Sequence, residues 1–324
     1  MITSRNGWFL RIAIALCCIL CVSIATLYAA GGNAVTDWAS DTIIGTGYGV
    51  PPERAKNPGH ARTLAHQAAM LDAYRRLAEQ AKGIHITASS TMEDNILSGD
   101  IVAGEVDAVI KRAKIVAGSE QYDEYGNCTL TLEVPLYGVT NSIAKVALKP
   151  VAKEAFPEPS AQGTDDAVDG GYTGLVIDCS DVVGSTSGSI VPVAFWGEML
   201  LSNGGVGLNP VMKPVVRRDS GQAIYSYNNL DYEKVLEKGM VSYTDGKNGE
   251  SNRAGKKPLV VKAVKLDDNG SSPVVSAKDA DKILKENQAS HFLDDGAVVF
   301  MSTKGLRDSY SKPYRGTNAN GATT

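Results

Sequence analysis

TIIGTGYG (Thr42–Gly49), followed by PGHARTLAHQAAMLDAYRRLAEQAKG (Pro58–Gly83), decides the fold of the first half of this chain. The first stretch alternates as a β-strand, which places Ile43 and every glycine of the stretch on one side. Asn57 is of a residue type that caps helices, and proline is tolerated at the first helical position because its missing N–H has no helical partner there. Alanine and leucine then recur at three- and four-residue spacing, which predicts one long helix that ends at Gly83.

Glycines on one side of the strand predict that this helix lies unusually close to it. A helix whose inner face is mostly alanine is able to use that space, because its side chains are short. The predicted inner face consists of Ala61, Leu64, Ala65, Ala68, Leu71 and Ala78, widened by Met70, Tyr74, Leu77 and Ala81.

The glycine run also suggests a nucleotide-binding loop, but its details argue against that interpretation. A dinucleotide site requires GxGxxG with the helix opening directly off the loop. Here the residues from Pro51 to Arg54 intervene, the third glycine is misplaced, and no Lys-Ser/Thr pair of a P-loop follows. We therefore predict a packing role for the glycines and no cofactor.

Residues 41–147 are predicted to form an α+β sandwich of order βαβαββ, with two helices on one face of an antiparallel or mixed sheet. Ile84–Ala88 alternates as the second strand, and Ile101–Arg112 carries the apolar face of a second helix. Lys114–Tyr122 and Cys128–Pro135 are separated by turn residues and predict a hairpin. Its last strand should present Leu130, Leu132 and Val134 on one face and Thr129, Thr131 and Glu133 on the other.

Residues 148–171 are interpreted as an acidic, proline-containing linker that carries little to bury. Residues 172–305 are predicted to form a second, β-rich α+β domain, and the polar tail at 306–324 is expected to be disordered. The second domain begins with the strand YTGLVIDC, and helices are expected near Tyr232 and after Ser276. Its further predicted strands are Lys213–Arg217, Met240–Tyr243, Leu259–Lys265 and Ala297–Ser302.

Residues 1–34 have the pattern of an export signal. Arg5 and Arg11 make the start positive, Ile12–Leu27 is apolar or small, and small residues close the segment. We expect cleavage and a location in the periplasm or cell envelope. The alternative is an uncleaved anchor, because the apolar run is just long enough to span a bilayer.

The composition is that of an ordinary globular protein, with 43% hydrophobic and 21% charged residues. The formal net charge of -4 and the lack of a basic stripe argue against nucleic acid as a partner. They argue equally against strong adhesion to anionic lipid. We expect membrane contact only through proximity or through an uncleaved signal anchor.

Cys128 and Cys179 are the cysteines that follow the signal. They have no CxxC spacing and no histidine partner pattern, so they predict no metal site. In an oxidising periplasm they form a candidate disulfide. The alternative is two small, semi-buried apolar side chains, and the sequence leaves both open.

No motif in the chain specifies a reaction, and we predict no catalytic residue and no enzymatic activity. The four histidines lie in no nucleophile or metal motif, and His85 should face solvent because Ile84 and Ile86 face the other way. Asp178 and Asp181 end a predicted strand, where α/β enzymes often place acids.

The stretch VPVAFWGEML (191–200) is too apolar to lie in water without a core or a partner. We predict it as one partner surface, and the open face of the first sheet as another. The candidate partner residues are Val191, Val193, Phe195, Trp196, Met199 and Leu200.

Several motifs occur in the order found in one bacterial family: GTGYG, AHQAAMLDAYRRLAEQAKGIHITASSTMED, IKRAKIVAG and TLTLEVPLYG. Through them residues 43–139 resemble the twenty-kilodalton outer-membrane lipoprotein (Lpp) family, which is similar to the N-terminal domain of flagellar assembly protein T. YTGLVIDC, GLNPVMKPVV and FLDDGAVVFM resemble the companion region of two-domain members from diderm bacteria. Residues 180–205 depart from that pattern as an apparent insertion, and the lipobox of the lipoprotein members is absent.

The resemblance implies an envelope protein, tied in some members to the flagellar basal body, and it implies no catalytic residues. We therefore expect a non-catalytic exported protein that acts through contacts with other envelope proteins, in envelope or flagellar basal-body assembly. The alternative is a periplasmic small-ligand-binding or hydrolytic domain that uses the Asp178–Asp181 strand edge.

Overall fold

The computed structural model describes residues 33–160, 168–182, 207–246, 252–303 and 306. These residues form an α+β fold, as predicted. They divide into two compact units whose segments alternate along the chain. The first unit comprises Gly45–Leu77 and Lys114–Glu133, and the second comprises Val35–Ile44, Ala78–Ala113 and the described residues from Val134 onward.

The strands of the first sheet are β1 (Ala34–Asp37), β2 (Thr42–Gly49), β5 (Lys114–Ile115), β6 (Gln121–Tyr122) and β7 (Cys128–Pro135). Their order is β1-β2-β7-β5, and β6 also pairs with β7. The predicted hairpin is confirmed, since β5 and β6 both run antiparallel to β7, although the strand is interrupted between them. Strand β1 was not predicted.

Helix α1 (Pro58–Lys82) begins and ends where the sequence predicts, and the Asn57 side chain accepts the N–H of His60 at 2.9 Å. The glycines of β2 do face this helix. A Cβ atom built on Gly47 would lie 2.1 Å from the carbonyl oxygen of Ala69, and one on Gly49 would lie 2.1 Å from that of Ala65. Real Cβ atoms do not approach so closely. The helix backbone therefore rests directly on the strand backbone.

The phase of the α1 inner face differs from the prediction. Ala68 is exposed and Leu71 is 72% exposed, although both were assigned to the inner face. The residues that face the glycines of the strand instead form a series spaced four apart. That buried series is Ala65, Ala69, Ala73, Leu77 and Ala81.

Strand β3 (His85–Thr87) pairs with β4 (Ser90–Thr91) in a separate two-stranded ribbon. The prediction that it belongs to the first sheet was therefore wrong. Its carbonyls also accept backbone N–H groups from a distant segment, with Met212 bonded to His85 at 3.0 Å and Lys213 to Ile86 at 2.8 Å. The distant segment, and not the first sheet, therefore supplies the hydrogen-bond donors for these carbonyls.

Three helices follow in this part of the chain: α2 (Met92–Leu97), α3 (Asp100–Ile110) and α4 (Ile143–Ala147). Helix α2 was not predicted, and it starts with a capping box formed by Thr91 and Asp94. Helix α3 is the predicted second helix, and its residues Val106 and Val109 are buried as expected.

The second unit contains two further four-stranded sheets. The first holds β8 (Gly174–Asp178), β11 (Ser242–Thr244), β12 (Pro258–Lys262) and β15 (Val298–Met301). It is parallel, in the order β11-β15-β8-β12. The second holds β9 (Val216–Arg218), β10 (Ala223–Tyr225), β13 (Lys265–Asp267) and β14 (Ser272–Val275). It is mixed, in the order β10-β9-β14-β13.

The helices predicted near Tyr232 and after Ser276 are α5 (Tyr232–Lys238) and α6 (Ala277–Ser290). Ser276 caps α6 by accepting the N–H of Asp279 at 3.1 Å. The predicted inner residues Ala280, Ile283 and Leu284 are buried. Short 3-10 helices lie at Tyr227–Asn229, Asn252–Ala254 and Asp268–Gly270.

The described parts of residues 148–171 are tied to α6. The backbone N–H of Ser160 donates to Asp281 at 2.8 Å, and those of Asp169 and Gly170 donate to Glu286 at 2.9 Å each. Asp281 and Glu286 are both buried. The segment that the sequence marks as a linker thus supplies hydrogen bonds to both buried carboxylates, and Arg218 also donates to Asp281 at 3.1 Å.

Candidate functional site

The Asp178–Asp181 edge lies at the carboxyl end of β8 in the parallel sheet. Asp178 accepts the N–H of Ser180 at 2.9 Å, and Asp181 pairs with Lys262 at 3.0 Å on the surface. This pairing raises the pKa of Lys262. Both acids therefore take part in a local turn or a surface ion pair. Within the described residues, no three His, Cys, Asp or Glu side chains are grouped to hold a metal ion.

Both cysteines are free and buried. Burial raises the pKa of both thiols, that of Cys179 to about 12. Such thiols are almost entirely protonated at neutral pH, which makes them poor nucleophiles.

Of the two predicted partner surfaces, the open face of the first sheet lies within the described residues. The stretch 191–200, with all six candidate partner residues, lies outside the described residues. The open face of the first sheet carries Thr46, Tyr48, Thr129, Thr131 and Glu133, all half-buried. Leu130, Leu132 and Val134 are buried on the opposite face, as the alternation predicted.

Among the described residues of the second unit, the most exposed large apolar side chains lie where α2 meets α3. Leu97 is 81% exposed and Ile101 is 79% exposed, and we call this pair the apolar corner. Helix α3 buries Val106, Val109 and Ile110 instead. Sequence spacing did not identify the corner, because the two residues flank a Ser-Gly break between two helices.

His85 lies at the edge of the β3–β4 ribbon and is half-buried, not simply solvent-facing. Its Nδ1 atom is buried and has no hydrogen-bond partner among the described residues. The pKa of Asp94 is lowered mainly by its hydrogen bonds with Thr91 and to a smaller extent by the nearby His85.

Arg253 closes the C-terminal end of α5. Its Nη1 donates to the carbonyl of Lys238 at 2.5 Å, its Nη2 to Gly239 at 2.6 Å and its Nε to Gly296 at 2.6 Å. The last carbonyls of a helix have no partner within the helix, so the bonds to Lys238 and Gly239 replace the missing ones, and the bond to Gly296 joins this helix end to the segment before β15. No local pattern around Arg253 in the sequence signals this role.

Asp41 carries a half-buried carboxyl group in the same unit as Arg253. Its φ of 55° is in the left-handed region, and its carbonyl accepts the N–H of Leu136 at 2.8 Å. Burial raises the pKa of Asp41 to about 6, with Asp37 adding to the rise and Arg253 opposing it.

Replacing Asp41 with asparagine should stabilise the protein at pH 8 and leave its stability nearly unchanged at pH 4. The folded-state pKa of about 6 exceeds the ordinary value, so the folded state binds more protons between these limits. Stability contributed by this group is therefore lost as pH rises through about 6. We expect a difference of about 2 kcal/mol at pH 8, measured by urea unfolding across the range. A difference that does not change with pH would contradict this assignment.

A cleft of about 240 Å³ lies between residues 153–158 and the C-terminal end of α6, and we call it the α6 cleft. Phe156 and Leu284 form its apolar surface. Asp294 accepts long hydrogen bonds there from Lys153 at 3.4 Å and from Asn287 at 3.3 Å. Sequence reasoning missed the cleft because one of its walls is part of the predicted linker.

A comparison with protein-family models finds a match in the second half of the chain. Residues 174–304 match the family model described as Treponema pallidum Tp0624, second domain. The match covers less than half of the chain. No curated protein matches this sequence.

The described helices include none that is both long enough and apolar enough to cross a membrane.

Proposed function

We propose that this chain is a non-catalytic, exported cell-envelope protein that acts through contacts with other envelope proteins. The observation that carries the proposal is the apolar corner, where Leu97 and Ile101 are about four-fifths exposed on adjacent helices. Exposed apolar surface of this kind is typical of contact sites when neighbouring side chains extend it. The residues next to the pair in sequence, Ile96 and Val102, are half-buried and apolar.

The chemistry-bearing side chains support the same proposal. Asp178 and Asp181 are engaged in a turn and a surface ion pair, and both thiols are buried. Burial raises the pKa of both thiols, which disfavours nucleophilic chemistry at the cysteines. The fold thus offers surfaces for recognition more readily than a reactive centre.

Site-specific photo-cross-linking in living cells tests the contact function. A photo-reactive residue in place of Ile101 should give one cross-linked product of reproducible mass, because a specific partner covers the corner. The same residue in place of exposed Gln222 is the matched control and should give none. Products of many sizes at both positions would contradict the proposal.

The more specific form of the proposal is a role in envelope or flagellar basal-body assembly. Deleting the gene should then reduce envelope integrity or the number of flagella per cell. Swimming and flagellation at wild-type levels would remove the flagellar role and leave the contact function standing.

A further inference from the structure

The α6 cleft combines an apolar wall with carboxylates that retain hydrogen-bonding capacity. Glu158 accepts from Gln288 at 2.8 Å and Glu154 accepts from Asn228 at 3.2 Å, each through one oxygen. Among the described residues, the second oxygen of each carboxylate accepts no hydrogen bond. Both side chains are exposed at the cleft mouth, so a bound group is able to reach them.

The end of α6 adds to this negative character. The C-terminal end of a helix carries a partial negative charge that favours cations. The last turn of α6 contains no basic residue. His291 follows directly as the cap residue, in the left-handed region at φ 57°.

Two basic side chains line the cleft, and both lie toward Asp294. Lys153 approaches one Asp294 oxygen at 3.4 Å, and His291 approaches the other at 3.7 Å. These contacts offset the negative charge of Asp294. Glu154 and Glu158 are then the acids available to a ligand. The balance of charge therefore favours a cation over an anion.

The apolar wall indicates what kind of cation fits. The Phe156 ring is stacked on Tyr225, with centroids 6.3 Å apart, and Tyr225 is buried. The wall is thus held in place before any ligand binds. An apolar stem that ends in a charged group matches a cleft with a fixed aromatic wall and acids at its mouth.

We propose that the α6 cleft binds a lysine or arginine side chain of a partner protein. The proposal rests on the contact function proposed above and names the chemistry of one contact. The stem of the basic side chain lies against Phe156 and Leu284, and its charged end donates to Glu154 and Glu158. Attraction of this type is reduced by salt.

Titration of the isotope-labelled protein with three small probes tests the cleft. The probes are N-acetyl-lysine methylamide, its norleucine analogue, which has an uncharged stem, and its glutamate analogue. The lysine probe should give saturable amide shifts in residues 153–158 and 287–291, and the other two probes should not. Equal or tighter binding of the norleucine or glutamate probe would overturn the proposal.

The matched variants are Glu154→Gln with Glu158→Gln, and Glu93→Gln as a control on α2. Glutamine keeps the oxygen that accepts from Asn228 or Gln288, so the fold is retained while the charge is lost. The double variant should bind the lysine probe at least tenfold more weakly, and the control should bind it as the wild type does. Unchanged binding by the double variant would overturn the assignment.

The outcome separates this inference from the proposed function. If cross-linking at position 101 gives a defined partner and the lysine probe does not bind, only the cleft assignment fails. If the probe binds as expected and no partner is found, the affinity of the cleft for a basic side chain stands, whereas the contact function fails and with it the assignment of that side chain to a partner protein.

Discussion

Replacing Gly47 with alanine is expected to lower the free energy of unfolding by about 3 kcal/mol or more. The added Cβ would lie 2.1 Å from the carbonyl oxygen of Ala69 and 2.4 Å from the backbone nitrogen of Ala73. Both obstacles are backbone atoms, so no rotamer change relieves the overlap and α1 has to move away from β2. Urea unfolding of the purified variant measures the loss.

Gly104 provides the matched control for this substitution. It lies inside α3, and a Cβ built there meets nothing within 4 Å. Alanine is the better helix former, so Gly104→Ala should raise stability by roughly 0.5–1 kcal/mol. The same chemical change is thus expected to have opposite signs at the two sites. A Gly47→Ala protein as stable as the wild type would contradict the close packing of helix and strand.

Replacing Arg253 with methionine is the second substitution with a large expected effect, a loss of about 3–5 kcal/mol. Methionine keeps much of the apolar stem but leaves the carbonyls of Lys238, Gly239 and Gly296 without their charged donor. Lysine in place of Arg253 retains the charge but not the forked set of donors, so it should recover only part of the loss.

Exposed Lys256 is the control for Arg253, because it lies three residues away and carries the same charge. Lys256→Met should change stability by no more than about 0.5 kcal/mol. Thermal and urea unfolding of the three variants measures the comparison. A loss below about 1 kcal/mol for Arg253→Met would show that the carbonyls find other donors.

The sequence predicted the strand and helix of the first unit but not the phase of α1. Periodicity assigned Ala68 and Leu71 to the inner face, whereas Ala69 and Ala73 face the glycines. With alanine at so many positions, several phases bury similar apolar area. The choice among them is made by the glycines of β2, which is a tertiary contact that helical spacing does not encode.

Other features escaped prediction because their partners are remote in sequence. The carbonyls of β3 are bonded by Met212 and Lys213, and the amide of Ser160 is bonded by Asp281. The backbone is the same at nearly every residue, so the sequence does not indicate which remote groups its N–H and C=O groups will bond. One wall of the α6 cleft belongs to a segment held by such contacts. The composition of that segment is typical of a free linker, so nothing in the sequence indicated the cleft.

A titration of the purified, isotope-labelled protein with ATP and with NAD tests the central claim most directly, because Gly45, Gly47 and Gly49 report on their own surroundings. If these glycines seat a helix, their amide signals should stay in place at millimolar concentrations of either nucleotide. Saturable shifts confined to these three amides would contradict the account and restore the interpretation of the glycine run as a phosphate-binding loop.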